Sequence, residues 1–214
     1  MSRLRVRYKR GPEVKYISHL DMIRLWQRAL TRAGIELAYS EGFNPHPRLS
    51  LAAPLALGVT SEAELMDVGI SRYISPHSFE ALAGQQLPPG IEIMQVYQIE
   101  STMPSLQSQV RYAEYLVEVD AAAGEQPVEA ALASLLEKEH LPWQHLRNTA
   151  IRSYDLRLLI KDLWLAGGNG EHRTIGMRLR CDSSCSGRPE QVSKALGFGQ
   201  PRSIHRTRLI LKTS

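Results

Sequence analysis

Cysteine is nearly absent from this chain: its 214 residues hold two, Cys181 and Cys185, within the run CDSSC. Two thiols cannot build a disulfide scaffold, and their scarcity fits a reducing compartment. Long apolar runs are missing too. The most apolar stretch, residues 49–57, is interrupted by Ser50 and Pro54 and falls far short of the roughly 20 residues that cross a bilayer as a helix. The first residues, MSRLRVRYKRG, are basic but alternate apolar and charged side chains, which reads as a strand and not as a signal peptide. A cytoplasmic protein without a membrane segment is expected. With 43% hydrophobic and 22% charged residues the chain is rich enough in apolar side chains to bury a core, so a disordered class is excluded.

The net charge of +4 conceals an uneven distribution. Residues 1–50 carry ten Lys/Arg against four Asp/Glu, residues 151–214 twelve against five, and the middle only four against thirteen. Two basic ends around an acidic middle point to a polyanion such as RNA as partner.

Period-2 alternation over residues 3–9 predicts a first strand, with Arg3, Arg5, Arg7 and Lys9 opposite Leu4, Val6 and Tyr8. Ser18, with Asp21 three residues on, opens a helix in a capping-box-like arrangement, and Gly34 closes it. Leu20, Ile23, Trp26, Leu30 and Ala33 are expected inward. Strand material at 49–57 and 64–70, a short helix at 76–83 and a strand at 91–99 complete a βαββαβ order. Residues 101–109 read as a linker. The order then recurs: strand 111–120, helix 127–139, strand material at 151–165 and 173–181, a helix near 190–196 and a strand at 204–212. A turn of helix within 154–160 is an alternative for part of that segment. The expectation is an α+β protein of two tandem ferredoxin-like lobes with antiparallel sheets, residues 1–100 and 110–214.

Polar information is densest in residues 18–50. The helix start around His19 and Asp21 offers free backbone N–H groups to an anion. Arg24, Arg28 and Arg32 recur every four residues and so share one helix face. In the following loop, Tyr39, Ser40, Phe43, Asn44, His46 and Arg48 are gathered within ten residues. Pro45 and Pro47 stiffen the backbone around His46, which lowers the entropy cost of holding an imidazole ready for proton transfer. Tyr39 and Phe43 suit stacking on unpaired bases, and Arg48 suits a phosphate. His19, Asp21 and His46 are the catalytic candidates. Arg24, Arg28, Tyr39, Ser40, Phe43, Asn44, Arg48 and Arg206 are the candidates for binding substrate or RNA. The helix opening and His46 are expected to face one shared cavity. Cys181, Cys185 and a nearby His172 fall short of the convergent ligands a metal needs, so neither metal nor cofactor is expected.

The segments SHLDMIRLWQRALTRAG and YSEGFNPHPRLSLAAPLALGVTSEAELMD, with RPEQV and IHRT near the end, resemble the signature of the radical-SAM-linked family, a domain family of unknown function. Ala56 stands where that family often has a second proline, a difference that bears on loop stiffness. The resemblance implies a radical-SAM protein as partner, encoded beside or fused to the chain, in an RNA-centred setting. The chain is not itself a radical-SAM enzyme, because Arg188 stands where the third cluster cysteine of such an enzyme would be. The expected function is therefore an accessory subunit that presents a substrate, RNA, to a radical-SAM enzyme. Two alternatives are an RNA-processing or RNA-modifying enzyme that uses a loop histidine, and a purely protein–protein docking module.

Overall fold

The computed structural model describes residues 2–120, 127–147, 150–169 and 171–212. They form a mixed α+β protein with mostly antiparallel sheets, divided into two compact units. Unit 1 holds the chain up to Val110 together with Leu211 and Lys212, and unit 2 holds Arg111–Ile210.

Unit 1 contains β1 (Ser2–Arg10), α1 (His19–Arg32), β2 (Leu49–Leu51), β3 (Thr60–Ile70), α2 (Pro76–Gly84), β4 (Ile91–Ile99) and α3 (Leu106–Gln109). Its strands lie in the order β4-β1-β3-β2, and every neighbouring pair is antiparallel. Leu4, Val6, Tyr8, Met66, Val68 and Ile70 supply the sheet side of the core, and Met22, Trp26 and Leu30 the helix side. The rings of Tyr8 and Trp26 meet edge to face with centroids 5.0 Å apart, a favoured aromatic geometry.

Helix α1 begins and ends on its expected signals. Ser18 Oγ accepts from the Asp21 backbone N–H and donates to the Asp21 carboxylate. At the other end Gly34 adopts φ +69°, and the Ile35 N–H reaches back to the Leu30 carbonyl, which closes the helix as a Schellman motif. The buried stripe runs through Met22, Trp26, Ala29 and Leu30. Leu20, expected inward, is instead 64% exposed, because a turn of helix beginning at His19 points it away from the sheet.

The apolar stretch at 49–57 contributes only the three-residue β2, while the next strand starts earlier than expected, at Thr60. The segment expected as a linker is packed: Leu106 is fully buried, and the Met103 and Pro104 carbonyls accept from Arg3.

Unit 2 contains β5 (Val110–Asp120), α4 (Val128–Glu137), β6 (Pro142–Arg147), β7 (Ala150–Asp155), β8 (Ile160–Gly168), β9 (His172–Arg180), α5 (Pro189–Ala195) and β10 (Ser203–Leu211). Its main sheet has the order β10-β5-β9-β8, and β6 and β7 form a separate two-stranded hairpin. The expected strand at 151–165 is two strands separated by a 3-10 turn at Leu156–Leu159. Asp155 stops the first by accepting from the Arg157 N–H. Strand β6 was not foreseen, since Pro142 opens it and no alternation marks it. Trp164 lies across Gly176 on the neighbouring strand, where a Cβ would collide with the indole.

Candidate functional site

The loop between α1 and β2 is tied down at its base and open at its tip. The Ser40 N–H donates to the His46 carbonyl, and the His46 N–H donates to Ser40 Oγ at 3.0 Å. Arg48 is fixed by its own N–H to the Ala38 carbonyl and by Nε to the Tyr39 carbonyl. The whole base rests on β3, where the Gly69 N–H donates to the Arg48 carbonyl at 2.7 Å. A Cβ on Gly69 would stand 2.9 Å from Arg48 Cβ, so the loop needs glycine there to approach the strand. At the tip, Gly42 turns with φ +115°, Phe43 is fully exposed and Tyr39 is 48% exposed. Asn44 and His46 are also exposed.

This loop walls a cavity of about 330 Å³. Ser40, His46 and Arg48 line it from the loop, Ser50 from β2, Asp67 and Gly69 from β3, Arg3 from β1 and Ser101 from the segment after β4. Asp67 is buried and sits directly opposite Arg5 in the β1–β3 register. Arg5 grips it with Nε at 2.7 Å and a second nitrogen at 3.0 Å. Arg3 adds a bond at 2.6 Å. Burial lowers the pKa of Arg5, but its hydrogen bonds and charge pairing with Asp67 raise it by more. Of the two guanidiniums on Asp67 only Arg3 lines the cavity, with Arg5 behind the carboxylate, and Arg48 adds a further cation at the rim.

The start of α1 does not share this cavity. His19 is half-buried, and the charges acting on it are Glu64 and Arg10. Glu64 pairs with Tyr8, whereas Asp67 pairs with Arg5. Three residues of strand separate these positions by about 10 Å. Burial pushes the His19 imidazole below its ordinary value, with Arg10 adding to the shift and Glu64 opposing it. Asp21 is occupied as a helix cap. Hydrogen bonds from Ser18 and then Arg24 hold its carboxyl below the usual range. Arg24 and Arg28 are exposed on α1, and the Arg28 Nε donates to the Arg24 carbonyl.

One expected contact is corrected outright. Arg206, on β10, has no exposed surface, and a fully buried guanidinium cannot meet a phosphate in solution. Ile204 and Arg206 are two residues apart on β10 and share its buried face, which the basic composition of the strand masked.

The CDSSC turn is held by its aspartate. Asp182 accepts from the Ser184 and Cys185 N–H groups and from Arg180. Burial raises its pKa, and these bonds more than offset that, leaving the carboxyl well below its usual range. His172 begins β9 and Cys181 follows its end, about 30 Å apart along a strand. Among the described residues no group of three His, Cys, Asp or Glu is placed to hold a metal ion, and no helix is long and apolar enough to cross a membrane.

Sequence reasoning passed over Arg3, Ser50, Asp67, Gly69 and Ser101. Arg3 and Asp67 fall on the expected strands, but the register that brings them together has no local signal. It also passed over a second cavity of about 380 Å³ beside the β6–β7 hairpin, lined in part by Trp143, Tyr154 and the His140–Asp155 pair. His140 Nδ1 lies 2.8 Å from Asp155.

A family model for "uncharacterized protein conserved in bacteria (DUF2344)" matches residues 3–189. The chain belongs to this family. No curated protein matches it. Among solved structures, the DUF2344 chain is similar to a chain of a Cbf5-Nop10-Gar1 complex, with a TM-score of 0.52 and 9% identity, over 96% of this chain and 48% of that one. A chain of the archaeal box H/ACA sRNP Nop10-Cbf5 complex gives a TM-score of 0.49 and 10% identity, over 97% and 48%. The DUF2344 chain thus spans about half the length of these structural relatives, and at such identity the likeness to the first is one of fold alone.

Proposed function

We propose that this DUF2344 protein is an accessory subunit that binds RNA and presents it to a radical-SAM enzyme. One observation carries the RNA reading: a loop braced at its base holds Arg48 at the rim of a cavity with a surplus of positive charge, and carries a fully exposed Phe43 at its tip. A stacking ring with no protein partner costs free energy in water and gains it against an unpaired base. A guanidinium at the same rim suits the adjoining phosphate. The radical-SAM partner rests on the resemblance of the SHLD and GFNPHPRLS segments. A bacterial cytoplasmic setting follows from the same reading.

We also infer a ferredoxin-like plan for each unit. The antiparallel order β4-β1-β3-β2, with a helix after the first and third strands, supports it in unit 1. The order β10-β5-β9-β8 supports it in unit 2, with the β6–β7 hairpin as an insertion.

Fluorescence anisotropy with single-stranded RNA tests the function. Binding that weakens steeply with salt and falls about tenfold in Phe43→Ala and in Arg48→Ala is expected. Unchanged affinity in both variants would overturn the reading. Co-purification with the radical-SAM partner after nuclease treatment separates RNA presentation from simple docking. A second reading, catalysis by His46, is favoured by its place on the wall of the cavity that Arg3 and Asp67 also line. It requires RNA cleavage or modification by the isolated protein that is lost in His46→Ala.

A further inference from the structure

The geometry points to a terminal phosphate monoester of an RNA strand as the group the unit 1 cavity receives. This inference rests on the RNA-binding reading and adds which part of the strand enters the cavity. The first argument is charge. Arg3 and Arg5 both bond to Asp67, and Arg48 stands at the rim with its Nε on the Tyr39 carbonyl. No carboxylate other than Asp67 lines the cavity. Arg3 and Arg48 line it with Asp67, and Arg5 bonds to Asp67 from outside the lining, so the group as a whole keeps a surplus of two positive charges. A terminal phosphate monoester carries about −1.5 to −2 near neutral pH, whereas an internal diester carries a single charge. The monoester therefore matches the surplus.

The second argument is donor chemistry. Arg3 spends its bonds on Asp67 and on the Met103 and Pro104 carbonyls, so it holds the floor in place and supplies field. Arg48 has its terminal nitrogens left for a ligand among the hydrogen bonds of this loop. Ser50 and Ser101 bring hydroxyls to the walls, and hydroxyl donors satisfy the remaining phosphate oxygens. The third argument is size. At about 330 Å³ the cavity lies at the lower end of ligand clefts, which run from roughly 300 to 1,000 Å³. That admits one nucleotide unit and not a continuous strand. With a phosphate end inside, Phe43 and Tyr39 lie outside the lining, at the tip and base of the same loop, for the bases that follow.

The test compares three RNA decamers of one sequence, bearing a 5′-phosphate, a 3′-phosphate or hydroxyls at both ends, against the full chain at constant salt. One phosphorylated strand is expected to bind about tenfold tighter than the strand without phosphate, the effect of one or two charge-assisted hydrogen bonds. Ser101→Asp, which sets a carboxylate at an exposed edge of the cavity, and Arg48→Gln should each abolish that preference. Circular dichroism checks that both variants fold. A nucleoside monophosphate that displaces the labelled strand better than its nucleoside gives the same answer without a variant. Equal binding of all three decamers would overturn the terminal-phosphate assignment and leave RNA binding intact. Failure of all three to bind at low salt would overturn both.

Discussion

Asp67 is the residue on which the unit 1 site turns. It is buried with two arginines on its oxygens, so Asp67→Asn leaves two guanidiniums without their carboxylate, one of them buried. Removing one partner from a buried ionic cluster costs about 3–5 kcal/mol, and urea denaturation of the variant should show a loss of that size. Gly69 acts through space rather than charge. Gly69→Val must displace Arg48 and the loop base, and overpacking of this kind costs about 1–3 kcal/mol. Loss of RNA affinity should accompany that loss of stability. The sequence marked Ser40, His46 and Arg48 because they crowd one short loop. It could not mark Asp67 or Arg3, whose meeting depends on a register set by the whole sheet.

At the scale of the element, α1 is the part most fully written in the sequence. Its cap, its closing glycine and Trp26 and Leu30 all lie where local patterning puts them. Ser18→Ala removes the Oγ that accepts from Asp21 and should lower stability by about 1 kcal/mol, measurable by thermal or urea unfolding. His19 ties the same element to pH. Its folded pKa lies below the ordinary 6.5, so between those two values the unfolded chain takes up a proton that the folded chain refuses. Stability from this group is full above pH 6.5, falls as pH drops through 6.5, and levels off below the folded pKa. His19→Gln should flatten that part of the urea-midpoint profile between about pH 7.5 and 5.5. Less legible was the β6–β7 hairpin, whose strands carry Pro142, Trp143 and His145 without a clean alternation. The burial of Arg5 on the face opposite Leu4 and Val6 was hidden for a related reason. A charged residue alternating on a strand normally marks the solvent face, and only Asp67 opposite it makes burial tolerable.

For the whole molecule, the order of helices and strands was readable because hydrophobic periodicity and turn residues are local, while the sheet orders and the cavity arise from pairings far apart in the chain. The basic first fifty residues supply Arg3 and Arg48 to one cavity and Arg5 to its carboxylate, but the basic C-terminal region places Arg206 out of reach of solvent. Charge counts along a sequence therefore overstate the area available to a polyanion. The measurement that bears most directly on the account is ultraviolet cross-linking of single-stranded RNA to the intact protein, with the modified peptides mapped by mass spectrometry. Cross-links concentrated at Tyr39 and Phe43 are predicted. Cross-links confined to unit 2, or an unmodified 39–48 loop in a complex that demonstrably contains RNA, would contradict it.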